Sequence, residues 1–443
     1  MIWIWISIAV LISIFFLRGR HISLENYIWV LLPIDMYGIS IAGILVKPYM
    51  LLCGALFILY IKDNRNGFFI GNTAIPFILI GALVVNTFNG GTSHSLLAVF
   101  MVILVYFCAS VYVSRTQNSI REIPEVVVAT SIGYGIVFSA LTILFNLGIR
   151  LPDVATRSNL APGILLALDN MNGDVFYQTY RLRGFNIDPN ASVGVFLAAF
   201  PIDVVMIICK NGNKKRYLVS FILSLLCIYL TNSRMGILST LAIVVLSCIR
   251  AIRMATSEQR KKFIYCVTAL CAILLFVFLF SNIGQRLRED IFSAYEGRAD
   301  FNAQYGRGTI WKESIKVWNE KGLFWGIGTG NIRYLISARK QTHNTWLEWL
   351  CGCGLIFGSA VMLVFVLLIL KGLFNINHLK SSEEKTLFHV MFMGLIGMVI
   401  CLITVDNTTN CYLWFFAVTI MRLFSLSEKQ VGQRKYKYLK MQQ

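Results

Sequence analysis

The sequence predicts an all-α polytopic membrane protein, and three observations support this: its composition, the length of its apolar runs and the placement of its basic residues. Of the 443 residues, 57% are hydrophobic and only 14% are charged. A chain with so few polar residues cannot cover the surface of a water-soluble domain. Lipid is therefore expected to be its solvent.

Apolar runs recur along the whole chain, and each is long enough to cross or nearly cross a hydrocarbon core of about 30 Å. In lipid the backbone polar groups must be bonded within the segment, so each run is expected to be a helix. We predict about 12 transmembrane helices, with a range of about 11–13. Their ranges are 2–17, 47–61, 73–88, 95–113, 124–148, 191–209, 217–231, 235–250, 263–281, 346–370, 386–404 and 408–424.

Residues 27–46 leave the number of spans open. The segment is apolar, but Pro33, Asp35, Gly38 and Gly43 interrupt it. It is either a further span or an irregular piece at the outer face of the membrane.

The basic residues predict the orientation, because cytoplasmic loops of membrane proteins are rich in Lys and Arg. Short basic loops occur at 210–216 and 250–262, and the C-terminal tail is also basic. With these in the cytoplasm, the formal charge of +18 reflects membrane topology, so nucleic acid is not an expected partner. Twelve spans put both termini in the cytoplasm. Arg18 and Arg20 would then lie outside, and they fit better if 27–46 crosses the membrane.

Two long connections, 149–190 and 282–345, then face the exterior, and the whole of 1–443 forms one membrane domain. Loops of this length are usually functional or disordered. The second contains a helix-like stretch, TIWKESIKVW, followed by the turn-rich GIGTGN. Function is therefore expected in these two loops.

The second long loop ends in QTHNTWLEWL, which places His343 and Asn344 directly before a span. An imidazole at the membrane surface can accept a proton near neutral pH. Taken alone, the motif also fits a helix-capping or interfacial role.

Several arginines lie near the outer face. Arg234 is in TNSRMG, a very short connection between two spans, where a charge is costly unless it is paired or functional. It is a candidate for binding a phosphate or a partner carboxylate. Arg181 and Arg183, in YRLRGFNIDPNAS, form a second basic site or extend to lipid headgroups. Arg307, in YGRGTIW, is either a site residue or a solvated loop charge.

Other sites are not indicated. There is no D-x-D or P-loop pattern, and DNMNGD at 169–174 does not have the spacing of a calcium loop. Cys351 and Cys353 form only C-x-C, and most of the eleven cysteines lie in apolar runs, so a structural role is expected. No metal or other cofactor is predicted.

Four motifs, taken in order, resemble the O-antigen polymerase and O-antigen ligase superfamily of bacterial inner-membrane proteins. They are RLRGFNIDPNASVGVF, TNSRMGI, GRGTIWKESIKVWNEKGLFWGIGTGNI and THNTWLEWLCGCGLIFG. The resemblance covers roughly residues 180–370, and beyond these it is one of hydropathy only.

The resemblance implies a metal-independent glycosyltransferase of the membrane-embedded C type, with its active site facing the periplasm. The implied substrates are glycans carried on undecaprenyl diphosphate, and the implied partners, besides the lipid bilayer, are a chain-length regulator and a flippase. His343 matches the family's catalytic histidine, Arg234 the arginine of the short hairpin and Arg183 that of the first long loop. Arg181 and Arg307 are further candidates for binding the diphosphate, with Asn344 and Asn190 in support.

The implied reaction is inverting transfer of a growing glycan from its diphosphate lipid to a hydroxyl of a new lipid-linked repeat unit, as in an O-antigen polymerase. A ligase that transfers the glycan to lipid A-core is the alternative, because both would share this site. A transporter of lipid-linked oligosaccharides is a second alternative, although transporters commonly place their polar residues near the midplane of the membrane.

Overall fold

The structure is a computed structural model, and the residues that it describes are 2–41, 44–63, 68–89, 93–116, 119–149, 164–171, 175–186, 188–209, 214–265, 307–375 and 382–442. Most of them are helical. The longer helices are α1 (Ile2–Phe15), α3 (Pro48–Lys62), α4 (Ala74–Phe88), α5 (Ser93–Arg115), α6 (Ile123–Asn146), α8 (Gly194–Cys209), α9 (Lys215–Leu230), α10 (Arg234–Met254), α11 (Arg307–Lys321), α13 (Thr345–Asn375), α14 (Ser382–Cys401) and α15 (Cys411–Gln442). Single-turn helices are α2 (Ile28–Leu31), α7 (Pro189–Ser192) and α12 (Ile332–Leu335).

Six helices in the described part of the chain are long and apolar enough to cross a membrane. They are Ser95–Arg115, Ile120–Asn146, Pro189–Cys209, Arg234–Met254, Thr345–Phe374 and Lys385–Thr404. Four apolar helices are shorter: Ile2–Phe15, Pro48–Lys62, Ala74–Phe88 and Cys411–Leu426. The polytopic helical fold is thus confirmed. The count of about 12 spans stays a prediction, and most of predicted span 263–281 lies outside the described residues.

The central helices are buried, and the outer helices carry an exposed apolar face. Nearly every residue of α8 is buried, and so is most of α6, although both are strongly apolar throughout. The peripheral helices instead carry large exposed apolar side chains on their outer faces. Examples are Phe77, Ile80, Leu238, Leu241, Leu363 and Val366. Such extensive apolar exposure suits a hydrocarbon solvent and not water.

Ion pairs show which chain segments meet at one end of the bundle. Arg20, just after α1, pairs with Glu125 in the first turn of α6, and Arg216 of α9 reaches the same carboxylate at 2.7 Å. Arg216 ends the basic loop 210–216, which is predicted to be cytoplasmic. Arg20 therefore lies at the predicted cytoplasmic end, and the conflict over its placement is removed.

Residues 24–46 then run back through the bundle as an irregular segment. The segment consists of a 3-10 turn (Leu24–Tyr27), α2, and an antiparallel hairpin of β1 (Ile39–Ile41) and β2 (Ile44–Val46). The side chain of Asn26 donates to the carbonyl of Ser119 at 2.9 Å. Further along, the backbone N–H of Met36 donates to the carbonyl of Phe185 at 3.0 Å, at the end of the first long loop.

The two ends of this segment are well separated along the bundle. Phe185 packs edge-to-face against Phe138 of α6, with ring centroids 5.2 Å apart. Phe138 follows Glu125 by about 13 residues, which is a rise of roughly 20 Å in a helix. The chain therefore connects the two ends of the bundle through residues 26–37, which are mostly buried and form no continuous helix, and the strand β1 that follows is exposed.

The two long loops contain regular structure that the sequence predicts only in part. TIWKESIKVW lies inside α11, as expected. The first loop contains a hairpin of β3 (Ile164–Met171) and β4 (Val175–Leu182), in which Leu165 lies opposite Arg181. The all-α prediction did not include the β1–β2 and β3–β4 hairpins. For the second of these the sequence does carry a signal, because the dipeptide Asn172-Gly173 between two apolar runs is typical of a hairpin turn. Residues 150–163 and 282–306 of these loops lie outside the described residues.

The turn-rich GIGTGN packs into a break in α13, which confirms that GIGTG is a turn. The backbone N–H groups of Ile327 and Gly328 donate to the carbonyls of Cys351 and Gly352, at 2.8 Å and 3.1 Å. The helix is interrupted at Gly354, whose φ is +73°. The opened helix therefore bonds its freed carbonyl groups to the loop, as a low-dielectric surrounding requires. Cys351 and Cys353, which lie in α13 where this loop packs, are buried free thiols, in agreement with a structural role.

The side on which each loop lies can be tested with single cysteines introduced at exposed positions. We expect a membrane-impermeant maleimide to label Lys316→Cys of α11 in spheroplasts and to label Arg18→Cys only after the membrane is permeabilised, because the chain crosses the bundle between 24 and 46. Labelling of both before permeabilisation would contradict this path.

The close approach of the GIGTGN loop to α13 predicts a loss of stability on adding one methyl group. A Cβ atom at Gly326 would lie 2.3 Å from the carbonyl oxygen of Gly352, and its φ is +76°. We expect Gly326→Ala to lower the free energy of unfolding in detergent by roughly 2–4 kcal/mol. Gly148→Ala is the control, since Gly148 has φ +80° but no atom within 4 Å of its Cβ position; it should lose only about 1 kcal/mol. Equal losses would refute a steric cause.

Candidate active site

His343 lies in the short turn before α13, with its backbone in the left-handed region. Its φ of +49° is uncommon for a residue with a side chain and costs roughly 1–2 kcal/mol. The indole N–H of Trp311 donates to the carbonyl of Thr342 at 2.9 Å. The hydroxyl of Thr342 reaches across to the carbonyl of Asn344 at 3.0 Å. These contacts hold a half-buried imidazole at the start of α13.

Asn344 caps the N-terminus of α13. Its side-chain oxygen accepts hydrogen bonds from the backbone N–H groups of Trp346 and Leu347, at 3.0 Å and 3.1 Å. Such a cap is worth about 1 kcal/mol. Asn344 thus has the capping role that the motif suggested.

Arg181, at the end of β4, joins the first long loop to the short connection between α9 and α10. Its Nε–H donates to the carbonyl of Thr231 at 2.9 Å, and its Nη2 donates to the side-chain oxygen of Asn190 at 3.2 Å. Thr231 lies three residues before Arg234. The two motifs that carry arginines are therefore in direct contact.

Asp188 orders the residues that hold Arg181. Its Oδ1 accepts from both the backbone N–H and the side-chain amide of Asn190, at 2.7 Å and 2.6 Å. The backbone bond caps α7, which begins at Pro189. Asp188, Asn190 and Arg181 thus form a continuous chain of hydrogen bonds.

Arg234 is the first residue of α10. Ser233 is the N-cap, and its hydroxyl accepts from the backbone N–H of Gly236 at 2.9 Å. Asn232, at φ +48°, makes the sharp reversal from α9. This geometry leaves the Arg234 side chain exposed at the end of the bundle.

Arg307, the first residue of α11, lies within electrostatic range of three other charged residues. Burial lowers the pKa of Arg307, the charges of Arg181 and Arg234 lower it further, and Asp188 opposes them. Three guanidinium groups from three separate segments therefore gather near one carboxylate. Like charges concentrated in this way favour the binding of an anion.

His343 belongs to the same cluster. Burial lowers its pKa below the ordinary value, and Arg307 and Lys340 lower it further, whereas Asp188 raises it. The net lowering leaves the imidazole neutral at pH 7. A neutral imidazole can accept a proton, which a general base must do.

The structure brings His343, Arg181, Arg234 and Arg307 together, with Asn190 bonded to Arg181 and Asn344 next to His343. Arg183 occupies a different position. Its side chain is fully buried, and Nη1 donates to the carbonyl of Asn186 at 3.1 Å and contacts the sulfur of Met36. The structure therefore places Arg181 in the cluster and Arg183 beneath it, where it holds the turn before α7.

Asp188 is a member of the cluster that the sequence analysis did not single out. Its signal lies within the quoted motif, FNIDPN, because Asp directly before Pro is a typical start of a helix. The carboxylate also falls between basic motifs, where a counter-charge is expected.

A family model described as O-antigen ligase matches residues 219–360. Over this segment the chain is similar to the O-antigen polymerase and ligase superfamily. No curated protein matches the chain.

The matched residues 219–360 include Arg234, Arg307 and His343, which are three of the four residues of the cluster. Arg181 and Asp188 precede the matched segment. They reach it through the contact with Thr231 and through their charges. Residues 219–360 and the end of the first long loop are thus in contact at the cluster.

The charges around His343 predict the direction in which its pKa moves in two variants. We expect His343, followed by NMR of labelled histidine, to titrate below the ordinary value of about 6.5. Arg307→Gln removes a positive charge and should raise the pKa of His343, whereas Asp188→Asn removes a negative charge and should lower it.

The chain contains five histidines, so the signal is assigned by its loss in His343→Gln. Shifts of the same sign in both variants would show that these residues do not act on His343 through their charges.

Proposed function

We propose that the protein is a polymerase of O-antigen or a related envelope polysaccharide, which transfers a growing glycan from undecaprenyl diphosphate to a new lipid-linked repeat unit. The observation that supports this most directly is the grouping of His343 with Arg181, Arg234 and Arg307. Its chemistry matches the two demands of the reaction, a base for the acceptor and positive charge for the departing diphosphate.

In this proposal the guanidinium groups stabilise the leaving group. The bond between the anomeric carbon of the donor and the diphosphate oxygen breaks, and its electron pair stays on the diphosphate. Arg181, Arg234 and Arg307 can hold that charge through charge-assisted and often bidentate hydrogen bonds. Binding the anion also relieves the mutual repulsion of the three arginines.

His343 activates the acceptor. Its neutral imidazole takes the proton of the acceptor hydroxyl as the oxygen attacks the anomeric carbon from the side opposite the diphosphate, which inverts the configuration. A new glycosidic bond forms, His343 becomes protonated, and the lipid diphosphate departs. The proton then passes to solvent, and the base is restored.

The position of the cluster fits a substrate at the outer leaflet. Arg20 and Arg216 meet at the end of the bundle that is predicted to be cytoplasmic. Phe185, which lies between Arg181 and Asp188 in the sequence, packs about 20 Å further along α6. The proposed active site therefore faces the periplasm of a bacterium, in its inner membrane.

Ligation to lipid A-core is the second candidate, and it is favoured by the family whose model matches residues 219–360, O-antigen ligase. The same cluster would serve both reactions, since they differ only in the acceptor. The composition of lipopolysaccharide in a deletion strain separates them. A missing polymerase leaves core with one repeat unit, and a missing ligase leaves core alone.

The proposed roles predict severe loss of chain growth in two variants. We expect His343→Ala and Arg234→Ala, expressed at normal level in a strain without its own copy, to leave single-unit glycan on the gel. Removing a general base typically slows a reaction about 10²–10⁴-fold. Long chains in either variant would contradict the role assigned to that residue.

Two controls match the variants in chemistry but lie at the opposite end of the bundle. His21→Ala removes an exposed imidazole, and Arg253→Ala removes an exposed guanidinium from the last turn of α10, the helix that begins at Arg234. Both should keep the normal distribution of chain lengths.

A further inference from the structure

The inference concerns how His343 is held, and it rests on the function proposed for that residue. At φ +49° the His343 backbone is in a conformation that L residues rarely adopt. Such a conformation persists only when surrounding contacts enforce it. The groups on either side of His343 are Thr342 and Asn344, and both are hydrogen-bonded.

Thr342 is the central member of these contacts. Its side chain is fully buried. Its hydroxyl oxygen accepts from the backbone N–H of Asn344 at 3.3 Å, and the hydroxyl lies 3.0 Å from the carbonyl oxygen of Asn344. The hydroxyl thus spans His343 and fixes the distance between its two neighbours.

Glu348 bonds the same hydroxyl from inside α13. One carboxylate oxygen accepts from Thr342 at 3.2 Å, and the other accepts from the backbone N–H of Gly330 at 2.6 Å. Glu348 therefore joins the turn of His343 to the GIGTGN loop, which packs into the break in α13. It also lies in the first turn of α13, where a negative charge is stabilised by the helix dipole.

The burial of Glu348 is difficult to explain without such a role. Its side chain is only 1% exposed, and an ionisable group buried in a membrane protein is costly unless it is bonded. Arg333 and Asp406 are its ionisable neighbours. The carboxyl group of Glu348 is thus kept despite the cost of burying it, directly under the turn that holds His343.

We propose that Glu348 is the positioning residue for His343, and that it acts through the hydroxyl of Thr342. It does not touch substrate in this assignment. Its two hydrogen bonds fix the turn against the GIGTGN loop, so that the strained backbone holds the imidazole towards the arginine cluster.

A glutamine at 348 separates position from charge. The amide oxygen can still accept from the N–H of Gly330, and the amide N–H₂ can donate to the hydroxyl oxygen of Thr342. That hydroxyl then donates its own proton to the carbonyl of Asn344. Each bond is kept with its direction adjusted, so a positioning role tolerates Glu348→Gln, whereas a role that needs the negative charge does not.

The test uses the full-length purified protein in liposomes, elongating lipid-linked repeat units, with the turnover number and KM measured for each variant. A small displacement of a catalytic group can cost about 100-fold in rate. We expect Glu348→Ala and Thr342→Val to lower kcat by about 10–100-fold and to change KM by less than about threefold. Glu348→Gln should stay within about threefold of the parent kcat.

Glu313→Ala is the matched control. Glu313 also uses both carboxylate oxygens to hold a loop, accepting from the backbone N–H and the hydroxyl of Ser337. It should leave kcat and KM unchanged. Every variant is first compared by thermal unfolding and gel filtration, so that kcat refers to folded protein.

A second measurement does not depend on catalysis. The rate at which diethyl pyrocarbonate modifies His343, followed by mass spectrometry, reports the exposure of the imidazole. It should change more than about threefold in Glu348→Ala and remain at the parent value in Glu348→Gln and Glu313→Ala.

Equal inactivity of the Gln and Ala variants would overturn the positioning role in favour of the charge, and an unchanged modification rate in Glu348→Ala would also overturn it. If instead His343→Ala elongates normally while Glu348→Ala alters the modification rate, the proposed function fails and the positioning of His343 by Glu348 stands.

Discussion

The structure depends on one constraint, that backbone polar groups away from water must be hydrogen-bonded. Long helices meet it within themselves, but this chain interrupts its helical pattern at the two places from which the site is built. Where residues 24–46 recross the bundle, Met36 bonds the carbonyl of Phe185 and so supports the turn before α7. Where α13 opens near Gly354, the carbonyls that it frees accept from Ile327 and Gly328. In the described part of the chain, both the irregular residues 26–37 and the loop that packs at Gly354 are hydrogen-bonded to neighbouring protein groups.

The cluster itself is electrostatically unfavourable in isolation. Arg181, Arg234 and Arg307 carry like charges and repel one another. The carboxylate of Asp188 offsets only part of that repulsion. The carbonyl of Thr231 and the side-chain oxygen of Asn190 accept hydrogen bonds from Arg181 and keep its guanidinium group in place. A site of this kind stabilises an anion at low cost in reorganisation, because its charges are oriented before the anion arrives.

Much of the site could be predicted from the sequence, because its members lie in recognisable motifs. Ionisable residues are rare next to apolar spans, so His343 and Arg234 stand out, whereas Arg307 lies in a charged loop and is indicated only by its motif. The choice between Arg181 and Arg183 could not be made in the same way. They are two residues apart, and their different surroundings depend on where β4 ends and the chain turns under Met36. Asp188 was missed because an acidic residue before proline has a sufficient local explanation as a helix cap.

By itself, the sequence determined that this is a helical membrane protein, which ends of its helices are basic, and which few ionisable residues interrupt its apolar surface. These properties are local, since a run of apolar residues defines a helix in lipid whatever lies beside it. Only the tertiary structure decided that residues 24–46 recross the bundle without a continuous helix, that the first long loop meets the α9–α10 connection, and that Glu348 lies under His343. Each of these depends on contacts between residues that are distant in sequence or brought together by a strained turn, and neither periodicity nor composition records such contacts.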